Sequence, residues 1–266
     1  MFKVGIIGAG NMGEAILKGI VEKTDIKPEE VIISDINSER LNVLVEKYGV
    51  AGTEDNRRLV NLSKIIFLVV KPKDLENTLK PLKEYFKEDK ILVSVLAGVK
   101  IKRIKQIIDK TPVVRIMPNT PALIGEGAIG ITFDKLIRNE DKNYLLNILS
   151  SVGLVLEFEE SLMDAVTGLS GSGPAYVFNF IDSLAQGGVK VGLSYNDALN
   201  LAVQTVIGAA KMVKELGEHP SVLRDKVTSP AGTTIYGLHA LEKGSFKNTV
   251  INAVEEATKR SKELSD

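Results

Sequence analysis

The chain contains no cysteine. That excludes a disulfide framework, a thiolate metal site and cysteine nucleophilic catalysis, and it fits a reducing compartment. Histidine is almost as scarce: His219 and His239 are the only two, and they form no His-x-x-His pair. A zinc centre is therefore not expected, no metal is assigned, and both histidines read as surface or capping groups. Neither charge sign is in excess, since 34 Lys and Arg balance 34 Asp and Glu. Without a basic field there is little to hold nucleic acid or an anionic membrane, so a small molecule is the expected partner. No apolar run approaches the roughly 20 residues that span a bilayer. No basic-then-apolar leader precedes a first strand beginning at residue 2 or 3, and the expected compartment is the cytoplasm. Internal repeats and low-complexity segments are also missing. The one charge-rich stretch, Glu255 to Asp266, reads as a solvated helix end.

What is present is a chain of 266 residues, 44% hydrophobic, enough for one large core or two moderate ones. Up to about residue 130, short β-branched runs alternate with helical patterns. Val4 to Ile7, Val31 to Ser34, Ile65 to Val70, Ile91 to Val95 and Val113 to Ile116 are the strands. Such alternation predicts βαβ units, and runs that are apolar at consecutive positions predict strands covered by helices on both faces: a doubly wound parallel α/β sheet. Ala128 to Phe133 and Leu154 to Phe158, around a helix at Asn139 to Leu149, extend the sheet at its edge. From about Glu160 the strand-like runs vanish and a 3.6-residue period dominates, so domains of 1–159 and 160–266 are expected, the second all-helical. Its longest pattern, Tyr195 to Leu216, carries Leu199, Val203, Val206, Ile207, Ala210 and Val213 as a stripe suited to a core and a subunit interface.

The most informative segment is the glycine-rich turn after the first run. Gly8 permits a tight strand-to-helix turn, Gly10 lets backbone approach a pyrophosphate, and Gly13 allows close packing of the helix that starts near Glu14. The helix start offers free N–H groups to the phosphates. Asp35 ends the second strand about 20 residues later, where it would hydrogen-bond a free ribose 2′-hydroxyl and repel a 2′-phosphate. This leans toward NADH over NADPH. Arg40, a helical turn beyond, could offset that by folding back, and is otherwise solvated.

Ligands of open parallel sheets sit beyond the carboxyl ends of the strands. The loops there are Val70-Lys71-Pro72, the small-residue turn Leu96-Ala97-Gly98, and Met117-Pro118-Asn119-Thr120-Pro121-Ala122, whose prolines stiffen the presentation of Asn119 and Thr120. In the helical half, Lys226 to Ile235 concentrates hydroxyls, a proline and a glycine ahead of a helix running through Leu241. Ser229 to Thr234 there combine backbone N–H groups with three hydroxyls, an arrangement suited to a carboxylate. Capping of that helix needs one hydroxyl, not three.

Together these segments resemble pyrroline-5-carboxylate reductases over essentially the whole chain. The resemblance is carried by Ile7 to Ile16, the Val70-Lys71-Pro72 step, RIMPNTPA at Arg115 to Ala122, GLSGSGPAY at Gly168 to Tyr176, and above all DKVTSPAGTT at Asp225 to Thr234. One departure is visible: Ala231 stands where the family commonly has glycine. The resemblance implies a Rossmann domain followed by a helical dimerisation domain, with the active site completed in a homodimer that can assemble further. It also implies NAD(P)H-dependent reduction of 1-pyrroline-5-carboxylate to L-proline. By position, Gly8, Gly10, Asn11, Met12, Gly13, Asn56, Val70, Lys71, Pro72 and Ala97 would meet the cofactor. Ser229, Gly232, Thr233 and Thr234 would hold the substrate with Asn119 nearby, and Thr234 would be the catalytic donor to the imine nitrogen. A hydroxyacid dehydrogenase would need a base to remove a hydroxyl proton. The helix after Gly168-x-x-Gly171-x-Gly173 offers Val177 where such enzymes carry lysine. A non-catalytic dinucleotide-binding protein is the other rival, and it would not need the intact Ser229 to Thr234 loop.

Overall fold

A computed structural model describes residues 1–265 of the chain. Its strands are β1 (Phe2–Ile7), β2 (Val31–Ser34), β3 (Ala51–Thr53), β4 (Ser63–Leu68), β5 (Ile91–Ser94), β6 (Val113–Met117), β7 (Gly127–Phe133) and β8 (Gly153–Glu157). They form one sheet in the order β3-β2-β1-β4-β5-β6-β7-β8. All neighbours run parallel except β6 and β7, which pair antiparallel. The strand order reverses between β1 and β4, and it is at such a reversal that a doubly wound sheet opens its ligand crevice.

The consecutive apolar runs serve two cores. Val4, Ile6, Val31, Ile33, Ile65, Phe67 and Val93 face one side, against α1 (Asn11–Lys23), α2 (Ser38–Tyr48) and the later helix α6 (Asn139–Ser150). The alternate residues Ile32, Ile66, Leu68 and Leu92 face the other, against α3 (Asn56–Leu62), α4 (Leu75–Leu79) and α5 (Ile101–Lys105). Each fully buried side chain of this kind contributes roughly 1.5–3 kcal/mol. Both edge runs join the sheet as anticipated. The short β3 has no counterpart among the expected strands, because Ala51-Gly52-Thr53 offers neither a long nor an apolar run. Helix α1 starts at Asn11, three residues before the expected Glu14, directly after its glycine N-cap.

The chain divides into two compact units. The first holds residues up to Ser172 together with the chain from Glu256 onward; the second is Gly173–Glu255. In the first unit, α7 (Met163–Val166) leads into a π-helical turn at Thr167–Gly171. Buried Arg115 on β6 reaches Asp164 at 3.9 Å and Glu160 at 3.5 Å. Ser261 donates to Asp164 at 2.7 Å, tying in the end of the last helix.

The second unit contains α8 (Gly173–Lys190), α9 (Tyr195–Leu216), α10 (Pro220–Lys226), α11 (Thr233–Lys243) and the start of α12 (Phe246–Ser265). Among the described residues no strand follows Glu157. The buried cluster of this unit is small: Ala185, Ala198 and Ala202, flanked by Ile181 and Leu199. The α9 stripe stays largely uncovered, with Val203, Ile207 and Val213 between 37 and 43% exposed. His219 caps α10, its Nδ1 accepting from the Ser221 N–H at 3.2 Å.

Candidate active site

Around the carboxyl ends of β1, β2 and β4 lies a cleft of about 770 Å³ whose lining includes Gly8, Gly10, Asp35, Asn56, Val70 and Lys71. The turn that shapes it depends on Gly8, at φ +102°, where a Cβ would overlap the carbonyl oxygen of Val69. Its N–H is given to the Ser34 carbonyl at 2.8 Å, and Val69 donates to Ile7 at 2.8 Å, so the three strand ends are held together. Gly10 is the N-cap of α1 in extended conformation, and no side chain caps the helix. A Cβ at Gly10 would meet no atom of the chain. The first turn of α1 therefore presents orphan N–H groups and the positive end of its dipole beside open space, the arrangement that takes a phosphate.

The second strand delivers Asp35. One carboxylate oxygen accepts from the Ala9 N–H at 2.6 Å and the other from Asn37 N–H at 2.8 Å, which fixes the acid at the cleft wall. Ile36 beside it is fully exposed and also lines the cleft, an apolar surface for a flat ring. Asn56, first residue of α3, accepts from Ser34 Oγ at 2.6 Å.

Five residues expected to meet the cofactor do not line this cleft: Asn11, Met12, Gly13, Pro72 and Ala97. Asn11 is exposed in the first turn of α1 and Met12 packs on the core. Gly13 acts inside the fold, where a Cβ would overlap the Gly8 carbonyl oxygen. Pro72 opens a short 3-10 turn, and Ala97 follows β5, beyond β4.

Arg40 is not a solvated side chain. It folds back, donating through Nε to the Ala9 carbonyl at 3.0 Å and through Nη2 to Glu14. Glu14 also accepts from Lys47 at 2.8 Å and Tyr48 at 3.0 Å. Burial opposes ionisation of Glu14, but these donors outweigh it and hold its pKa at about 2. Sequence reasoning passed over Glu14 and Ile36; the usable signal was an isoleucine directly after the strand-ending acid, in a turn that should be polar.

Asn119 is 8% exposed and its amide is engaged. Oδ1 accepts from Ala128 N–H at 2.9 Å and Nδ2 donates to the Ser170 carbonyl at 3.0 Å, so it clamps the Met117 to Ala122 loop to β7 and to the π-turn. Gly171 in that turn packs against the Met117 side chain. Such π-turns cluster at functional sites.

In the second unit, Ser229 to Thr234 form a bend into α11. Gly232 is the N-cap, and no side chain caps the helix. The Gly232 N–H is given to the Ser229 carbonyl at 3.1 Å. Among the described residues, the hydroxyls of Ser229, Thr233 and Thr234 have no hydrogen-bond partner. Capping thus uses none of the three, and hydroxyls and first-turn amides are free together, a donor set for an anion. A Cβ on Gly232 would overlap Ser229 Oγ. Ala231 takes φ 56°, the left-handed region that glycine adopts without strain.

Comparison with known proteins places these features in a lineage. A family model described as pyrroline-5-carboxylate reductase dimerisation matches residues 160–264, and one described as NADP oxidoreductase, coenzyme F420-dependent, matches residues 3–98. The chain is 45% identical to pyrroline-5-carboxylate reductase of Methanosarcina acetivorans, covering 98% of this chain and 97% of the relative. It is 44% identical to that of Arabidopsis thaliana, covering 99% and 96%. Among solved structures, pyrroline carboxylate reductase of Plasmodium falciparum with NADP bound superposes with TM-score 0.91 at 36% identity, covering 100% of this chain and 98% of that one. The glycine-rich turn, the dinucleotide-sized cleft, the uncapped hydroxyl bend and relatives matched end to end lead to one assignment: the chain belongs to the pyrroline-5-carboxylate reductase family.

Proposed function

We propose that the protein reduces 1-pyrroline-5-carboxylate to L-proline with a reduced nicotinamide dinucleotide, NADH in preference to NADPH. The observation that carries this reading is the bend at Ser229 to Thr234, where three unpaired hydroxyls and the free amides of the first turn of α11 converge. Ser229 and Thr233 are exposed and Thr234 is half-buried, so these donors are open to a carboxylated substrate.

The dinucleotide, when bound, supplies the hydride. The chain's own task is to orient an imine and stabilise charge at its nitrogen. Ser229 and the amides of Thr233 and Thr234 bind the substrate carboxylate, which fixes the face of the ring that is presented. Gly232 serves by lacking a Cβ, since its N–H is already used. The Thr234 hydroxyl donates to the ring nitrogen, so the carbon becomes the better hydride acceptor. No base is needed, and Val177 in place of a lysine costs this reaction nothing. Asn119 acts by holding the Met117 to Ala122 loop rather than by free hydrogen-bonding capacity.

At the other end, Asp35 binds the ribose diol and repels a 2′-phosphate, while Ile36 supports the adenine. Residues 160–266 provide the dimerisation and substrate-binding domain. The exposed stripe of α9 and the small buried cluster of the second unit, built from three alanines, call for a second copy, and obligate interfaces resemble a divided core. Dimers that assemble further in the cytoplasm complete the reading.

Following dinucleotide absorbance with pyrroline-5-carboxylate, against 3-hydroxyacids, tests it with NADH and NADPH in parallel. Turnover of the imine, faster with NADH, is expected. Oxidation of a 3-hydroxyacid without imine reduction would overturn the substrate, and dinucleotide binding without any turnover would support a regulatory protein.

A further inference from the structure

We propose that Glu14 and Arg40 set dinucleotide selectivity: Glu14 sequesters the Arg40 guanidinium beside the ribose position, so that no free cation there meets a 2′-phosphate. This rests on reading the cleft as the dinucleotide site.

The geometry turns on one residue, Ala9. The Ala9 N–H is held by the Asp35 carboxylate and the Ala9 carbonyl by Arg40 Nε. The acid that faces the ribose and the guanidinium thus grip neighbouring atoms of the same turn, which puts Arg40 within side-chain reach of a phosphate on the 2′-oxygen. A guanidinium in that place is the usual device for accepting such a phosphate. Here it is committed. Its Nη2 is on Glu14, whose carboxylate is 17% exposed and fixed by Lys47 and Tyr48 as well. Leaving the carboxylate to meet a phosphate would strip a partly buried charge of one of its donors. The cations of the cleft lining itself are Arg57, Lys71 and Lys73, with Arg40 set behind the Ala9 turn. Lys71 and Lys73 follow β4, separated from β2 by β1, and Arg57 stands at the start of α3, where the Asp55 carboxylate accepts from its backbone N–H at 2.9 Å; Arg57 is therefore the rival cation the test must separate. Ile36, exposed after Asp35, adds no charge.

The test is direct binding. The chain has no tryptophan, so fluorescence of the reduced dinucleotide itself reports its dissociation constant without substrate. Glu14→Gln keeps the side-chain shape and frees the guanidinium. Its NADPH affinity should rise about tenfold while NADH affinity stays within about twofold, the gain expected of one charge-assisted hydrogen bond. In Glu14→Gln/Arg40→Gln the gain should disappear. Arg40→Gln alone should leave the NADPH to NADH affinity ratio within about twofold, because a masked cation contributes nothing to lose. Three results would overturn the proposal: Glu14→Gln without a gain for NADPH, a gain that survives loss of Arg40 or depends on Arg57, and an Arg40→Gln variant that loses NADPH affinity selectively. The last applies even if Glu14→Gln does not fold. A wild-type protein that binds neither dinucleotide would instead remove the underlying reading of the cleft.

Discussion

Substituting Gly232 by alanine isolates the hydroxyl bend from the rest of the machinery. Gly232 has φ −77° and ψ 171°, which alanine adopts freely, so no backbone penalty confuses the result. What changes is space. The new Cβ would overlap Ser229 Oγ and stand 3.3 Å from the Ser229 carbonyl oxygen. The cheapest response is rotation of the Ser229 hydroxyl to another well, costing about 0.5–1.5 kcal/mol at most. The fold survives that, but the hydroxyl leaves the group it formed with Thr233 and Thr234. If Ser229 holds the substrate carboxylate, one hydrogen bond to a charged group is lost, worth about 1.5–3 kcal/mol, or a fall in kcat/KM of roughly 10- to 150-fold.

Ser229→Ala should cost about as much. The decisive measurement is the double variant Ser229→Ala/Gly232→Ala in steady-state assays with pyrroline-5-carboxylate. Because both changes remove the same contact, the pair should lose little more than either alone. NADH dissociation constants should stay at the wild-type value, since the dinucleotide cleft is built from other residues. Losses that multiply, or a Gly232→Ala enzyme with wild-type kcat/KM, would refute the coupling between the glycine and the serine hydroxyl.

Three further outcomes follow from other parts of the molecule. Thr234→Ala should lower kcat/KM with NADH affinity nearly unchanged, and a fully active variant would give the donor role to another group. Asp164→Ala should destabilise the protein by about 3 kcal/mol in urea titration, the lower end for a broken buried ion pair because Arg115 keeps Glu160; a loss under about 1 kcal/mol would discount the pair. Glu14 has a folded pKa of about 2 against 4.5 for the free side chain, so its stabilisation is complete above 4.5 and lost as pH falls toward 2. The depression corresponds to at most ~3 kcal/mol, and acid titration of Glu14→Gln should lack that loss.

How much of this was readable beforehand depended on the range of the interaction. Val31 to Ser34 and Tyr195 to Leu216 appear at the expected residues because burial on both faces, or a 3.6-residue stripe, is written locally in the side chains. β3 escaped because it is held by the sheet and not by its own three residues. The π-turn at Thr167–Gly171 has no local period to announce it. At the cleft, Gly8, Gly10 and Asp35 were legible since their spacing is dictated by one turn and one strand. The engagement of Arg40 with Glu14, and of Asn119 with Ala128 and Ser170, joins segments far apart in the chain. Residue types alone left Arg40 either solvated or folded back, and only packing chose.

The two proposed anion sites share one local solution that spacing alone did not disclose. Helices α2, α3, α9 and α10 are capped by the side chains of Asn37, Asp55, Ser194 and His219. Helices α1 and α11 begin instead on glycines with nearly the same backbone, φ −68° and ψ −173° at Gly10 against φ −77° and ψ 171° at Gly232. A glycine cap keeps the extended geometry that starts a helix while placing no side-chain acceptor over its first amides. The difference lies in what surrounds each cap. Gly10 has open space above it, room for the pyrophosphate of the proposed cofactor, whereas the space at Gly232 is taken by Ser229 Oγ, a directional donor suited to the proposed carboxylate. On the proposed reading, the same device would serve as a general phosphate cradle in one unit and a selective acid site in the other, with the serine and not the glycine making the second one specific.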